Sequence, residues 1–234
     1  MAHDITTREA LLSTLRAELA AAADPAKAEP MRAYMKSSMP CLGVQTPRLR
    51  AICRRVFAEH PLADAATWRA ALLDLWRGAN YREERYAAIE LASDRRYRTY
   101  QTLDALPIYE EMIVSGAWWD FVDTIASHLL GGLLRAYPTP MRETMLAWSR
   151  DPMLWKRRAA ILCQITFGAA TDEALLFACL TPNLADREFF IRKGTGWALR
   201  SYAYANPDAV RRYVSEHVET ISPLSRREAL KHLG

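Results

Sequence analysis

The run Trp118-Trp119-Asp120-Phe121-Val122-Asp123-Thr124-Ile125-Ala126-Ser127-His128-Leu129 sets its apolar residues at helical spacing. At about 100° per residue, Phe121, Val122, Ile125, Ala126 and Leu129 fall on one stripe, which predicts a helix over 119–136. Trp118 falls within that stripe and reads as core. Asp120 points nearly opposite and is expected to act as an N-terminal cap. Trp119 and Asp123 are one turn apart and sit together at the stripe's edge. On phase alone the pair reads as a half-buried Trp beside a solvated Asp.

The same spacings of 3 and 4 recur along nearly the whole chain, and strand-like alternation is hard to find. Helices are expected over 5–22, 25–38, 46–59, 64–77, 81–92, 104–115, 119–136, 139–149, 152–167, 171–180, 186–204, 207–218 and 223–233. Thr46-Pro47, Asp64, Thr139-Pro140, Asp151-Pro152, Asp186, Asn206-Pro207 and Ser222-Pro223 mark starts, each pairing a capping side chain with a residue suited to a first turn. Short helices with short connectors predict antiparallel pairs, packed as a bundle or stacked as a HEAT-like solenoid with about 40 residues per repeat. One domain over 1–234 is expected. Trp119, Arg158 and Trp197 are each 39 residues apart. In a solenoid such positions line one surface, although seven tryptophans also offer such spacings by chance.

Two further helices set side chains apart. In 152–167, Trp155, Ala159, Leu162 and Thr166 mark the inner stripe, while Lys156 and Arg157 lie on the outer face. Arg158 lies near the stripe's edge, where an unpaired guanidinium costs several kcal/mol and therefore needs an anion (about that much when desolvated). Asp123 or a DNA phosphate can supply it. Helix 186–204 carries Phe189, Phe190, Lys193, Trp197 and Arg200, with Phe190 and Trp197 on one face; that spacing also fits an ordinary aromatic core stripe. Gly194 and Gly196 cost roughly 1 kcal/mol each in a helix interior, so they mark close approach of another helix or of a ligand backbone.

The composition narrows the class. Among 234 residues, 31 Lys and Arg against 27 Asp and Glu give a net charge of +4. The pI of about 8.9 permits nucleic-acid binding without arguing for it. No apolar run approaches the ~18 residues of a membrane span. The stretch from Met1 to Arg16 is too interrupted by charge for a secretory signal, so a cytoplasmic protein is expected. Cys41, Cys53, Cys163 and Cys179 form no C-x-x-C pair and read as reduced structural thiols. No H-E-x-x-H, P-loop, G-x-S-x-G or dinucleotide fingerprint occurs, so neither a metal nor a cofactor is expected.

Several stretches in order resemble a known family. They are Tyr34-Met35-Lys36 followed by Pro40-Cys41-Leu42-Gly43-Val44-Gln45-Thr46-Pro47; Trp118 to Asp123; Trp155-Lys156-Arg157-Arg158-Ala159-Ala160-Ile161; Phe189 to Arg200; and Leu224 to Lys231. Over about 30–234 the chain resembles the AlkD-like bacterial DNA glycosylases. That resemblance implies an all-α HEAT-like solenoid whose concave basic face holds duplex DNA. It implies excision of cationic alkylated purines, of the 3-methyladenine and 7-methylguanine kind, with no metal or cofactor. The lesion would stay outside a tight pocket, so bulky adducts would be tolerated, and a monomer would suffice. Trp119, Asp123 and Trp197 match the catalytic cleft, and Arg158 a DNA-contacting arginine beside it. Tyr34, Lys156, Arg157, Lys193 and Arg200 lie in the matched stretches and are expected at the DNA. The chain departs from the family at Lys193-Gly194-Thr195-Gly196, where an alanine- and isoleucine-like stretch is expected. A non-catalytic helical repeat for distorted or branched DNA, and a protein-binding scaffold, are the competing classes.

Overall fold

The computed structural model describes residues 2–233, with side chains from residue 6 onward. Among the described residues every regular element is helical. The α-helices are α1 (Ala2–Ala21), α2 (Pro25–Tyr34), α3 (Thr46–Glu59), α4 (Ala65–Arg77), α5 (Arg82–Ser93), α6 (Leu106–Gly116), α7 (Trp119–Thr124), α8 (Gly131–Ala136), α9 (Pro138–Trp148), α10 (Leu154–Leu162), α11 (Glu173–Leu180), α12 (Phe189–Ala203), α13 (Pro207–Glu216) and α14 (Pro223–Ala229). A π-turn, Ile125–Leu130, joins α7 to α8, so the helix expected over 119–136 is continuous but not uniformly α. Short 3₁₀ turns at Arg95–Tyr100, Gly168–Ala170 and Thr181–Asn183 carry no apolar periodicity and were not expected.

The caps divide. Asp64 accepts from the Thr67 N–H at 2.7 Å, Asn206 from Ala209 at 3.1 Å and Ser222 from Ser225 at 3.0 Å, as expected. Thr46 and Thr139 lie inside α3 and α9, whose N-caps Gln45 and Tyr137 make no side-chain cap bond. Asp151 and Asp186 bond to Met153 and Glu188, two residues on, as turns that precede α10 and α12. The helix expected over 152–167 stops at Leu162, leaving Thr166 exposed.

The helices group into two compact units, Met1–Ile108 and Tyr109–Gly234. In the first, α1 packs on α3 and α4, and both of those pack on α5. Leu11, Leu15, Trp68 and Leu72 are fully buried in this unit. The turn at Pro40–Gln45 wraps a carboxylate. Glu83, at 0% exposure, accepts from the N–H groups of Leu42 and Gly43 at 2.9 Å and of Val44 at 3.2 Å. Gly43 is required there. Its φ is +86°, and a Cβ would stand 2.1 Å from the Asp24 carbonyl oxygen.

In the second unit α10 packs on α7 and α12, and α12 packs on α14. These four helices form one contiguous row. The four begin about 35 residues apart, and a row built from elements at such a regular spacing is what a helical repeat produces.

Candidate active site

Trp119 and Asp123 stand on α7, Arg158 on α10 and Trp197 on α12, three successive members of that row. Arg158 lies side-on to Asp123. Its Nε donates to Asp123 Oδ1 at 2.7 Å and its Nη2 to Oδ2 at 2.8 Å. Its Nη1 donates to the Phe190 carbonyl of α12. The Arg158 side chain is 5% exposed and that of Asp123 12%. The guanidinium therefore ties α7, α10 and α12 together. In the free protein its anion is Asp123. Burial pushes the Asp123 carboxyl above its ordinary range, and the hydrogen bonds and charge of Arg158 pull it back down.

Gly194 makes this arrangement possible. A Cβ there would lie 3.1 Å from Arg158 Nη1, against a guanidinium already held at three atoms. Gly196 does the same on the other side of α12. A Cβ would meet Glu228 Cβ at 2.5 Å and the Ser225 carbonyl at 2.9 Å, both on α14. The departure at Gly194-Thr195-Gly196 is thus a pair of close approaches. Trp197 falls between them in phase, about 60° from Gly194 and about 100° from Gly196. It is half-buried, as is Trp119.

Trp118 differs from its expected place. It precedes the helix as an extended N-cap, so the helical phase does not govern it. It is half-buried, with ring centroids 5.4 Å from Phe190 and 6.1 Å from buried Trp155. Ala117 before it has φ +41°, a strained value for a residue with a side chain. Asp120 stands within the first turn of α7 rather than before it, where its charge favours the helix N-terminus. The π-turn begins two residues after Asp123, and Ser127 Oγ donates to the Asp123 carbonyl at 2.7 Å. Single π-turns inside α-helices are concentrated at functional sites.

The remaining basic residues are distributed as follows. Lys156 pairs with Glu110 at 2.8 Å and Asp151 at 2.6 Å, and lies over the Trp148 ring. Arg157 pairs with Asp186 at 2.9 Å and donates to the Asp151 and Pro152 carbonyls. Neither lies on a bare outer face. Lys193 and Arg200 both pair with Glu228. Tyr34, in the first unit, is 74% exposed. Glu83 and Glu228 are the residues that reading the chain missed. The only signal for Glu83 is its place in the first turn of α5.

All four cysteines are buried thiols, none of them in a disulfide. Among the described residues no three His, Cys, Asp or Glu side chains converge to hold a metal, and no helix is long and apolar enough to cross a membrane.

A row of helices that presents a desolvated carboxylate on a guanidinium, with a tryptophan one turn before it and another two helices away, defines a helical-repeat protein with an acid-bearing site. The chain belongs to the family of DNA alkylation repair enzymes, whose model matches residues 15–233. Its role is in DNA alkylation repair, with DNA as the substrate. Among solved structures it is similar to a predicted DNA alkylation repair enzyme from Enterococcus faecalis. The two are 27% identical, with 91% of this chain and 97% of that one covered and a TM-score of 0.79. Among curated proteins none matches.

Proposed function

We propose that the chain is a monofunctional DNA glycosylase that hydrolyses the N-glycosidic bond of cationic alkylated purines in duplex DNA, without a metal or cofactor. The observation that carries this is the Asp123 carboxylate, drawn out of water yet clamped at both oxygens by Arg158.

The chemistry needs such a group. A purine alkylated at N3 or N7 carries a positive charge. As the C1′–N9 bond breaks, the electron pair passes to the base, which leaves neutral and needs no general acid. Positive charge then develops on the sugar. An anion fixed close to that charge in a low-dielectric setting stabilises the transition state without reorganising. Asp123 serves as this anion and takes the proton of the attacking water as its oxygen bonds to C1′. The faces of Trp119 and Trp197 add a favourable quadrupole to the same cation and pack on the deoxyribose.

Arg158 then acts on Asp123 rather than first on a phosphate. It holds the carboxylate in one orientation and keeps it ionised despite burial. Lys193 and Arg200, on the same side of α12 as Trp197, supply backbone contacts. The concave HEAT-like surface, the tolerance of bulky adducts and an unflipped lesion are part of this reading through the family resemblance.

Release of free base from a 7-methylguanine duplex tests it. The wild type is expected to release base in a single turnover. Binding of the same duplex without release would favour a non-catalytic DNA-binding repeat instead.

A further inference from the structure

Glu228 of α14 sits between two cations of α12. Its Oε1 lies 3.1 Å from Lys193 Nζ and its Oε2 accepts from Arg200 Nη1 at 2.5 Å. Lys193 is one turn before Trp197 and Arg200 one turn after it. In phase they stand about 40° and about 60° from the indole, on the side toward α14. The Glu228 backbone cannot be elsewhere, because its Cβ fills the space that Gly196 leaves open and Ser225 Oγ is bonded to the Arg192 carbonyl at 2.9 Å. Glu228 is 16% exposed at the side chain and Lys193 40%, so the cluster lies at the rim of the Trp197 face and not in the core. The two cations beside the tryptophan therefore already share one carboxylate in the free protein.

We propose that Glu228 is an internal stand-in for a DNA phosphodiester. It holds Lys193 and Arg200 in phosphate-binding positions and is displaced from them when a backbone phosphate arrives beside Trp197. This rests on the reading of the Trp197 face as the DNA face. A carboxylate and a phosphodiester each carry one negative charge and accept from the same donors, so they compete for these two cations. The carboxylate remains beside the phosphate after exchange, and that like charge lowers affinity for duplex that carries no cationic base to offset it. Glu228 thus acts as a specificity residue. It suppresses retention on undamaged DNA, whereas a cationic base offsets the repulsion between carboxylate and phosphate.

The test measures binding of the full chain to a short undamaged duplex over a salt series. Excision is not read, so failure of the glycosylase reading and failure of this one are separable. Glu228→Gln keeps the Cβ packing and removes the charge. It is expected to bind undamaged duplex several-fold more tightly, with the slope of log K against log salt little changed, since the same two cations reach phosphate in both proteins. Adding Lys193→Gln and Arg200→Gln to it should abolish that gain. Unchanged or weaker binding by a folded Glu228→Gln protein overturns the proposal, as does a slope steepened by about one, which shows the pair closed on DNA in the wild type. Should that variant not fold, Lys193→Gln alone decides. A slope flattened by about one shows the lysine reaching phosphate, and an unaltered slope shows the pair closed on DNA, which overturns it equally.

Discussion

Arg158 grips both carboxylate oxygens of Asp123, at 2.7 and 2.8 Å, and turns its remaining nitrogen to the backbone of the helix that carries Trp197. One buried cation thus fixes the acid and links it to the second tryptophan's helix. It also sets a pH dependence. Burial raises the Asp123 pKa above the usual ~3.9 of an aspartate, and Arg158 opposes that rise. In the proposed reaction the ionised form is the active one. Excision is therefore full above the raised pKa and lost as pH falls through it. The acid limb of the single-turnover rate, corrected for spontaneous depurination, should lie above pH ~3.9. Arg158→Gln removes the opposing charge and should move that limb higher still. A limb at the ordinary value, or one that Arg158→Gln leaves in place, contradicts the assignment.

Gly194 allows the guanidinium to lie against α12. Gly194→Ala places a methyl 3.1 Å from Nη1 and forces the clamp to give by a few tenths of an ångström. The excision rate should fall by about tenfold or more, as small misplacements at a reacting group do. The Kd for undamaged duplex should change by less than about twofold, since no phosphate contact is touched. Equal losses in rate and affinity would place Gly194 in DNA binding instead.

Glu83 predicts a stability effect without a role in chemistry. Glu83→Ala strips three N–H groups, two of them buried, of their acceptor. The loss expected in urea unfolding is about 3–5 kcal/mol. A loss below about 1 kcal/mol would mean that water replaces the carboxylate at no great cost.

Trp119→Ala and Trp197→Ala should each weaken both DNA binding and excision, by about tenfold or more in rate, because each removes an aromatic face worth about 1–2 kcal/mol to a nearby cation. Duplex affinity and single-turnover rates measure the two effects separately.

The helical class was legible because apolar spacing is local. Phe121, Val122, Ile125 and Ala126 are all fully buried, as their phase requires. The edge placement of Trp119 and Asp123 was equally local and holds in their partial burial. Phase could not reach beyond one helix. It set Lys156 and Arg157 on an outer face, but could not see the acids of neighbouring segments that draw them in. It treated Trp118 as helical although the chain there is extended. The glycines announced close approach, and only packing showed that a guanidinium approaches at Gly194 and a helix at Gly196. Glu83 and Glu228 stayed hidden because an acid in a helix reads as solvated whether or not backbone N–H groups or cations surround it.

The most direct measurement is single-turnover release of 7-methylguanine from duplex DNA by the wild type and by Asp123→Asn, with duplex affinity measured in parallel. Asn keeps the shape and removes the charge. The account predicts release by the wild type, loss of most of that release in Asp123→Asn, and affinity largely retained. Near-normal release by Asp123→Asn would contradict it.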